Sequence, residues 1–180
     1  MRRLVEYPDR DVLMLDVADT LAGELADCLR RHDSASFCVP GGTTPGPVFD
    51  VLSEQALDWD RVAVFLNDER WVDEASPRSN TALVRQHLLT SKAAAAQFVP
   101  LKGPGATPED DLPALEAGFD GHLPISVLVL GMGTDMHTAG LIPDAEGLAE
   151  ALAPQAGILA PIRVPGSGEA RITLTAQVLN

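Results

Sequence analysis

Three short apolar runs in this chain break abruptly into polar or glycine-rich residues: ASFCV before PGG, VAVFL before NDERW, and ISVLVL before GMG. Runs of this length, rich in branched and aromatic residues, predict buried strands near 36–39, 62–66 and 125–130. The last, Ile125 to Leu130, is almost continuously apolar, as expected for a strand covered on both faces. Helical patterns fill the intervals. Leu21, Leu25 and Leu29 share one face of a helix over DTLAGELADCLRR, with Asp19 or Thr20 as its cap. TTPGPVFDVLSE predicts a second helix, capped by Thr43 or Thr44 with Pro45 in its first turn. SPRSNTALVRQHLL, DDLPALEAGFD and DAEGLAEALAP supply further helical pieces. A short strand around Phe98 and another opening ARITLTAQVLN complete the pattern.

Strands that alternate with helices imply an α/β fold: a Rossmann-like, open, mostly parallel sheet with flanking helices. With 180 residues the chain is of single-domain length and long enough to bury a core. The Pro/Gly-rich stretches at 100–108 and 164–168 read as loops, not domain linkers. Open α/β sheets bind ligands at the carboxyl ends of their strands. PGGTTP, NDERW and GMGTDMH are therefore expected to wall one site.

Acidic residues outnumber basic ones, 26 to 13, giving a net charge of −13. A nucleic-acid or anionic-membrane binder needs a positive footprint, so neither partner is expected. A small anionic substrate stays open, because one or two arginines in a concave site can dominate the local field. Cys28 and Cys38 have neither disulfide-framework nor zinc-motif spacing, and apolar packing is expected of both. MRRLVEYPDRD has no apolar leader core, and no run approaches 18 apolar residues; a cytoplasmic chain is expected.

PGGTTP lacks both the dinucleotide fingerprint and the lysine of a P-loop. Two readings remain: a turn that brings Gly41, Gly42, Thr43 and Thr44 to an anion, or a plain strand-to-helix turn. In NDERW, Arg70 can hold a phosphate or carboxylate in bidentate fashion. Asp68 and Glu69 can do acid–base work, bind sugar hydroxyls or merely hold Arg70. His137 is the pointed feature of GMGTDMH. Imidazole has a reference pKa of about 6.5 and suits general-base work, and Asp135 lies close enough in sequence to orient it or its loop. No third ligand joins this pair, so no metal is expected. No G-x-S-x-G elbow supports serine hydrolysis. Metal-independent chemistry on a small polar anion is what the residues themselves point to.

Taken in order, PGGTTP, NDERWV, SPRSN, GMGTDMHTAGLIP and RITLTAQVLN resemble the 6-phosphogluconolactonases, within a wider group that includes glucosamine-6-phosphate isomerases/deaminases. DERWV followed by SN is similar to the lactonase branch. The resemblance implies hydrolysis of 6-phospho-D-glucono-1,5-lactone to 6-phospho-D-gluconate, the second step of the oxidative pentose phosphate pathway. It implies no metal or organic cofactor and a small sugar-phosphate as partner, with monomer or homo-oligomer left open. By position, His137 matches the histidine that activates water and Asp135 the aspartate that organises it. Arg70 matches the arginine that stabilises negative charge or binds phosphate. Gly41, Gly42, Thr43 and Thr44 match the substrate loop, Asp68 and Glu69 the acidic pair beside Arg70, and Arg171 an arginine on the phosphate side.

Two departures accompany the resemblance. Met136 stands where the family usually has glycine; it carries a backbone penalty if φ is positive there, or else fills an apolar gap in an allowed turn. Family members also continue beyond the LN segment with a strand, a lysine-bearing loop that helps hold phosphate, and a helix. The expectation is thus a single lactonase-like domain over residues 1–180, cut short at its C-terminus. The rival activities are amino-sugar phosphate isomerisation/deamination and non-catalytic sugar-phosphate binding.

Overall fold

The computed structural model describes residues 4–180; residues 1–3, the start of the stretch read above for a leader, lie outside it. Helix α1 (Arg10–Arg31) begins about nine residues before the expected cap. Asp9 is its N-cap, accepting from the Val12 N–H at 2.9 Å, and Met14 and Ala18 extend the buried Leu21, Leu25 and Leu29 stripe backwards. At the other end the Arg61 guanidinium gathers the carbonyls of Leu29, His32 and Asp33 at 2.8–2.9 Å. Leu29 lies in the last turn, whose carbonyls lack partners within the helix, and His32 and Asp33 follow it.

Strand β1 (Ala35–Val39) leads to α2 (Gly46–Ser53). The N-cap of α2 is Pro45, without a side-chain cap bond, and neither Thr43 nor Thr44 serves. Strand β2 (Val62–Leu66) follows a 3-10 turn, and β3 (Asp68–Arg70) follows β2 after one residue. The remaining elements are α3 (Asn80–His87), β4 (Gln97–Phe98), α4 (Pro108–Ala117), β5 (Val127–Leu128), α5 (Leu148–Ala151), β6 (Leu159–Arg163), β7 (Ala170–Leu174) and α6 (Ala176–Leu179).

Two sheets are present where one mostly parallel sheet was expected. The first is parallel, in the order β4-β2-β1-β5, with Phe37 in register between Val64 and Val127. The second is antiparallel, in the order β3-β7-β6. The chain passes from one to the other at Asn67, whose N–H donates to Val39 of the first sheet while its carbonyl accepts from Leu174 of the second, both at 2.9 Å. Strand β6 escapes a sequence reading because Pro161 interrupts ILAPIRV. As the edge of its sheet it can carry a residue with no N–H to donate.

The run at 125–130 is also shorter than its apolarity predicts. Only Val127 and Leu128 form strand, at the edge of the first sheet, and Leu130 is 43% exposed. Two-sided cover belongs instead to β1 and β2, all ten residues of which are buried. Helices α1, α2 and α4 pack around them, and Phe65 meets Phe119 edge-on, with ring centroids 5.0 Å apart. Among the described residues no helix is long and apolar enough to cross a membrane. Because Phe65 is fully buried and paired, Phe65→Ala is expected to cost about 3–5 kcal/mol, read as a lowered midpoint in urea with an unchanged m-value.

Candidate active site

The ends of β1 and β2, the loop after β5 and the strand β7 open onto one cleft of about 440 Å³. Gly41, Gly42 and Thr44 line it from the first turn, Asp68 and Arg70 from β3, His137 from the loop after β5, and Arg171 from β7. Leu13 and Met14 of α1 supply an apolar wall. Thr43, Glu69 and Asp135, also expected at the site, do not line this cleft. The three strand ends converge as expected, and the antiparallel sheet adds a fourth wall.

Alternation along β3 sorts DER into two faces. Asp68 and Arg70 turn to the cleft. Arg171 donates to Asp68 Oδ2 from Nη2 at 2.5 Å and from Nε at 3.2 Å. In the ladder Arg70 stands directly opposite Arg171, a like-charge pairing that weakens a sheet unless an anion is to be received. Arg70 Nη1 donates to the Arg78 carbonyl at 2.6 Å. Its buried Nε has no hydrogen-bond partner and lies 3.7 Å from Glu169, which is itself ion-paired with Arg78. Burial, and then the neighbouring guanidiniums of Arg171 and Arg78, hold the Arg70 pKa below the ordinary arginine value. The Arg78 hydrogen bond, with its charge, draws the Glu169 carboxyl below its usual range.

Glu69 faces away from the cleft and is 1% exposed. Its carboxylate accepts from the N–H groups of Arg70 at 2.7 Å, Asn80 at 2.9 Å and Thr81 at 2.6 Å, and from the Thr81 hydroxyl at 2.8 Å. These bonds place a negative charge on the N-terminus of α3, where the helix dipole favours one. Glu69 therefore holds the frame of the site instead of touching its contents.

The loop after β5 folds back on itself through Gly133 N–H to His137 carbonyl at 2.9 Å and Met136 N–H to Gly133 carbonyl at 3.0 Å. His137 Nδ1 lies 2.5 Å from Asp135 Oδ1, which leaves Nε2 without a partner among the described residues. A Cβ on Gly133 would stand 2.4 Å from the imidazole, so only glycine fits beneath the ring. The His137 hydrogen bond holds the Asp135 carboxyl below its usual range. Met136 has φ 66° and a 78% exposed side chain. It fills no gap, and of the two readings above the backbone penalty applies.

Two further side chains in the cleft were not singled out from the sequence. Asn67, 1% exposed, donates from Nδ2 to the Val129 carbonyl at 3.4 Å, and its Oδ1 has no partner. Asn80 is the N-terminal residue of α3, and its side chain enters the cleft. The signal for both was their place in NDER and SPRSN, beside residues with more obvious chemistry. Among the described residues no cluster of metal-ligating side chains occurs. Cys38 is buried, and burial followed by the Asp68 charge pushes its thiol pKa far up, which leaves it unreactive. Cys28 is only half-buried.

A family model for glucosamine-6-phosphate isomerases/6-phosphogluconolactonase matches residues 8–180. The 6-phosphogluconolactonase of Mesorhizobium japonicum is 42% identical over 171 residues, 94% of this chain and 72% of the relative. That of Pseudomonas aeruginosa is 43% identical over 169 residues, 91% of this chain and 69% of the relative. The chain belongs to the 6-phosphogluconolactonase family. Its fold is similar to the crystal structure of a 6-phosphogluconolactonase from Shewanella baltica, with a TM-score of 0.92 at 34% identity over 97% of this chain and 75% of that one. A Neisseria gonorrhoeae structure aligns over 99% of this chain and 78% of its own, with a TM-score of 0.88.

The expectation of a family domain cut short at its C-terminus draws no support from these alignments. The family match runs through residue 180, and the relatives cover nearly all of this chain. Locally, the segment after β7 is tied back: Thr175 donates from N–H to Ile158 at 3.0 Å and from Oγ1 to Gly157 at 2.7 Å, while Val178 and Leu179 pack on the core.

Two predictions follow from the His137 loop. Asp135 has a lowered pKa, so its contribution to loop stability is present above the ordinary carboxyl value of about 3.9 and is lost as pH falls through the lowered one. By NMR its carboxyl should titrate below that ordinary value in the parent chain and return towards it in His137→Ala. For Met136, the left-handed φ favours glycine and penalises a β-branched residue by about 1 kcal/mol. Denaturation midpoints are expected to rank Met136→Gly at or above the parent and Met136→Val below it.

Proposed function

We infer that this chain hydrolyses 6-phospho-D-glucono-1,5-lactone to 6-phospho-D-gluconate, the hydrolase step of the oxidative pentose phosphate pathway. Membership of the 6-phosphogluconolactonase family supports the reaction. The observation that carries the mechanism is the division of one cleft into a base and an anion seat. His137, held by Asp135 behind it, lies on one wall, and Arg70 stands beside Arg171 on another.

In this reading Asp135 fixes the tautomer with the proton on Nδ1, leaving Nε2 as acceptor. Water attacks C1 of the lactone while Nε2 takes its proton. The carbonyl electrons move onto oxygen, and that charge needs donors already in place. Gly41 and Gly131 line the cleft, and their N–H groups, which have no protein acceptor among the described residues, are assigned this role. The intermediate then collapses, the bond from C1 to the ring oxygen breaks, and the imidazolium returns its proton to that oxygen. The acid product ionises to the carboxylate in water. Arg70 and Arg171 hold the phosphate, with the turn of Gly41, Gly42 and Thr44 beside them. Fixing this remote group positions C1 over the base. Asp68, tied to Arg171, offers its other carboxylate oxygen to a sugar hydroxyl. Thr43 and Glu69 are given no substrate contact.

The proposal treats residues 1–180 as one sugar-phosphate domain acting in the cytoplasm, where a soluble pathway intermediate is made and consumed. His137→Ala is expected to lower kcat by about 10²–10⁴-fold and leave KM within a few-fold, in a lactonase assay corrected for spontaneous hydrolysis. Unchanged kcat would sink the role given to His137. Ammonia release from glucosamine-6-phosphate without lactone turnover would favour the deaminase reading, and ligand binding with only spontaneous hydrolysis the non-catalytic one.

A further inference from the structure

Asn80 is 3% exposed, yet both ends of its amide serve the walls of the cleft. Nδ2 donates to the Asp68 carbonyl at 3.1 Å. Oδ1 accepts from the Gly42 N–H at 3.3 Å and from Arg70 Nη1 at 3.4 Å. The backbone N–H of Asn80 is held by Glu69 at 2.9 Å. Among the described residues no other side chain bonds both the glycine turn and Arg70.

Gly41 shows how tightly this amide is seated. A Cβ there would lie 2.0–2.2 Å from three atoms of the Asn80 carboxamide. Of the two glycines only Gly42 has a positive φ. Position 41 therefore needs glycine because the amide occupies the space, not because of its backbone conformation. The amide is also chemically suited to the task. It donates and accepts without charge, so it can aim a guanidinium without neutralising it. A carboxylate in its place would pair with Arg70 and compete with an arriving anion.

We propose that Asn80 is the positioning residue for the substrate's phosphate: it aims Arg70 and the glycine turn at one anion, and so sets preference for a phosphorylated over an unphosphorylated lactone. The proposal rests on the lactonase reading given above. Phosphate affinity tests it independently of turnover.

The experiment compares the parent chain with Asn80→Asp and Asn80→Ala. It measures turnover of 6-phosphogluconolactone and of glucono-1,5-lactone, and calorimetric affinity for 6-phosphogluconate and inorganic phosphate. Asn80→Asp keeps the shape and is expected to raise KM for the phosphorylated lactone by about tenfold or more, with phosphate affinity falling in parallel. The loss in kcat/KM is expected to lie mainly in KM and to be about tenfold larger on the phosphorylated lactone than on the unphosphorylated one. Adding Gly41→Ala to the parent should weaken phosphate binding, whereas adding it to Asn80→Ala should cost little more. This non-additivity does not arise from a general loss of folding. Unchanged phosphate affinity, equal losses on both lactones, or additive losses in the double variant would overturn the proposal, as would a parent chain that binds no phosphate. A parent chain that binds phosphate but turns over no lactone removes the lactonase reading and leaves the phosphate titrations to decide on Asn80.

Discussion

The buried carboxylate of Glu69 is the interaction on which the site's geometry depends. A charge that is 1% exposed is tolerable only if its lone pairs are filled. Here they are filled by β3 and by the first turn of α3 together. The same bonds that satisfy the carboxylate fix where α3 starts, and that start is Asn80. From Asn80 the constraint passes to the glycine turn and to Arg70. A residue that never faces the substrate thus determines where two substrate-facing elements stand.

The electrostatics of the cleft run against those of the whole chain. The net charge of −13 repels anions at long range, but exposed charges are screened within about 8 Å at physiological ionic strength. What an anion meets at contact is Arg70 and Arg171 on facing positions of a ladder. Asp68 prevents this pair from being a bare repulsion, since it binds Arg171 and leaves Arg70 with backbone carbonyl and amide partners only at hydrogen-bonding distance. Arg171 is hydrogen-bonded to a carboxylate, whereas Arg70 is hydrogen-bonded to neutral groups and has Glu169 at 3.7 Å. No carboxylate is within hydrogen-bonding distance of Arg70, which leaves its donors the more open of the two to a ligand.

Much of the first sheet was legible because burial writes itself as apolar runs: β1 and β2 fall within a residue of their expected limits. The run at 125–130 misled because apolar sequence records the wish to be covered and not the number of neighbouring strands. β6 was hidden by Pro161, a residue that edge strands admit. The site was legible in types and not in directions. His137 with Asp135 was read from adjacency, and adjacency is what a two-residue Asp–His contact needs. Asp68 and Glu69 were read as one acidic pair, yet a strand sends consecutive side chains to opposite faces. Their separation follows from β3 being a strand, which three polar residues after an apolar run do not announce. Asn80 was out of reach for a different reason: its value lies in contacts to residues 38 and 10 positions away.

The His137 loop shows why a departure from a usual residue need not displace a side chain. With glycine at 136, a left-handed turn would be free of steric penalty; with methionine it is kept by its surroundings. Two backbone bonds, Gly133 N–H to the His137 carbonyl and Met136 N–H to the Gly133 carbonyl, close the loop, Thr138 Oγ1 donates to the Gly131 carbonyl at 2.9 Å, and the Gly140 N–H donates to Thr173 Oγ1 at 2.9 Å. These hydrogen bonds, each worth about 0.5–1.5 kcal/mol net, together exceed the roughly 1–2 kcal/mol cost of a left-handed methionine. Met136 bears that strain with its side chain in solvent, and Ala139, at φ 50°, is left-handed as well. The imidazole one residue later stays on Gly133 and against Asp135 because the glycine beneath it, not the residue before it, determines where the ring can lie.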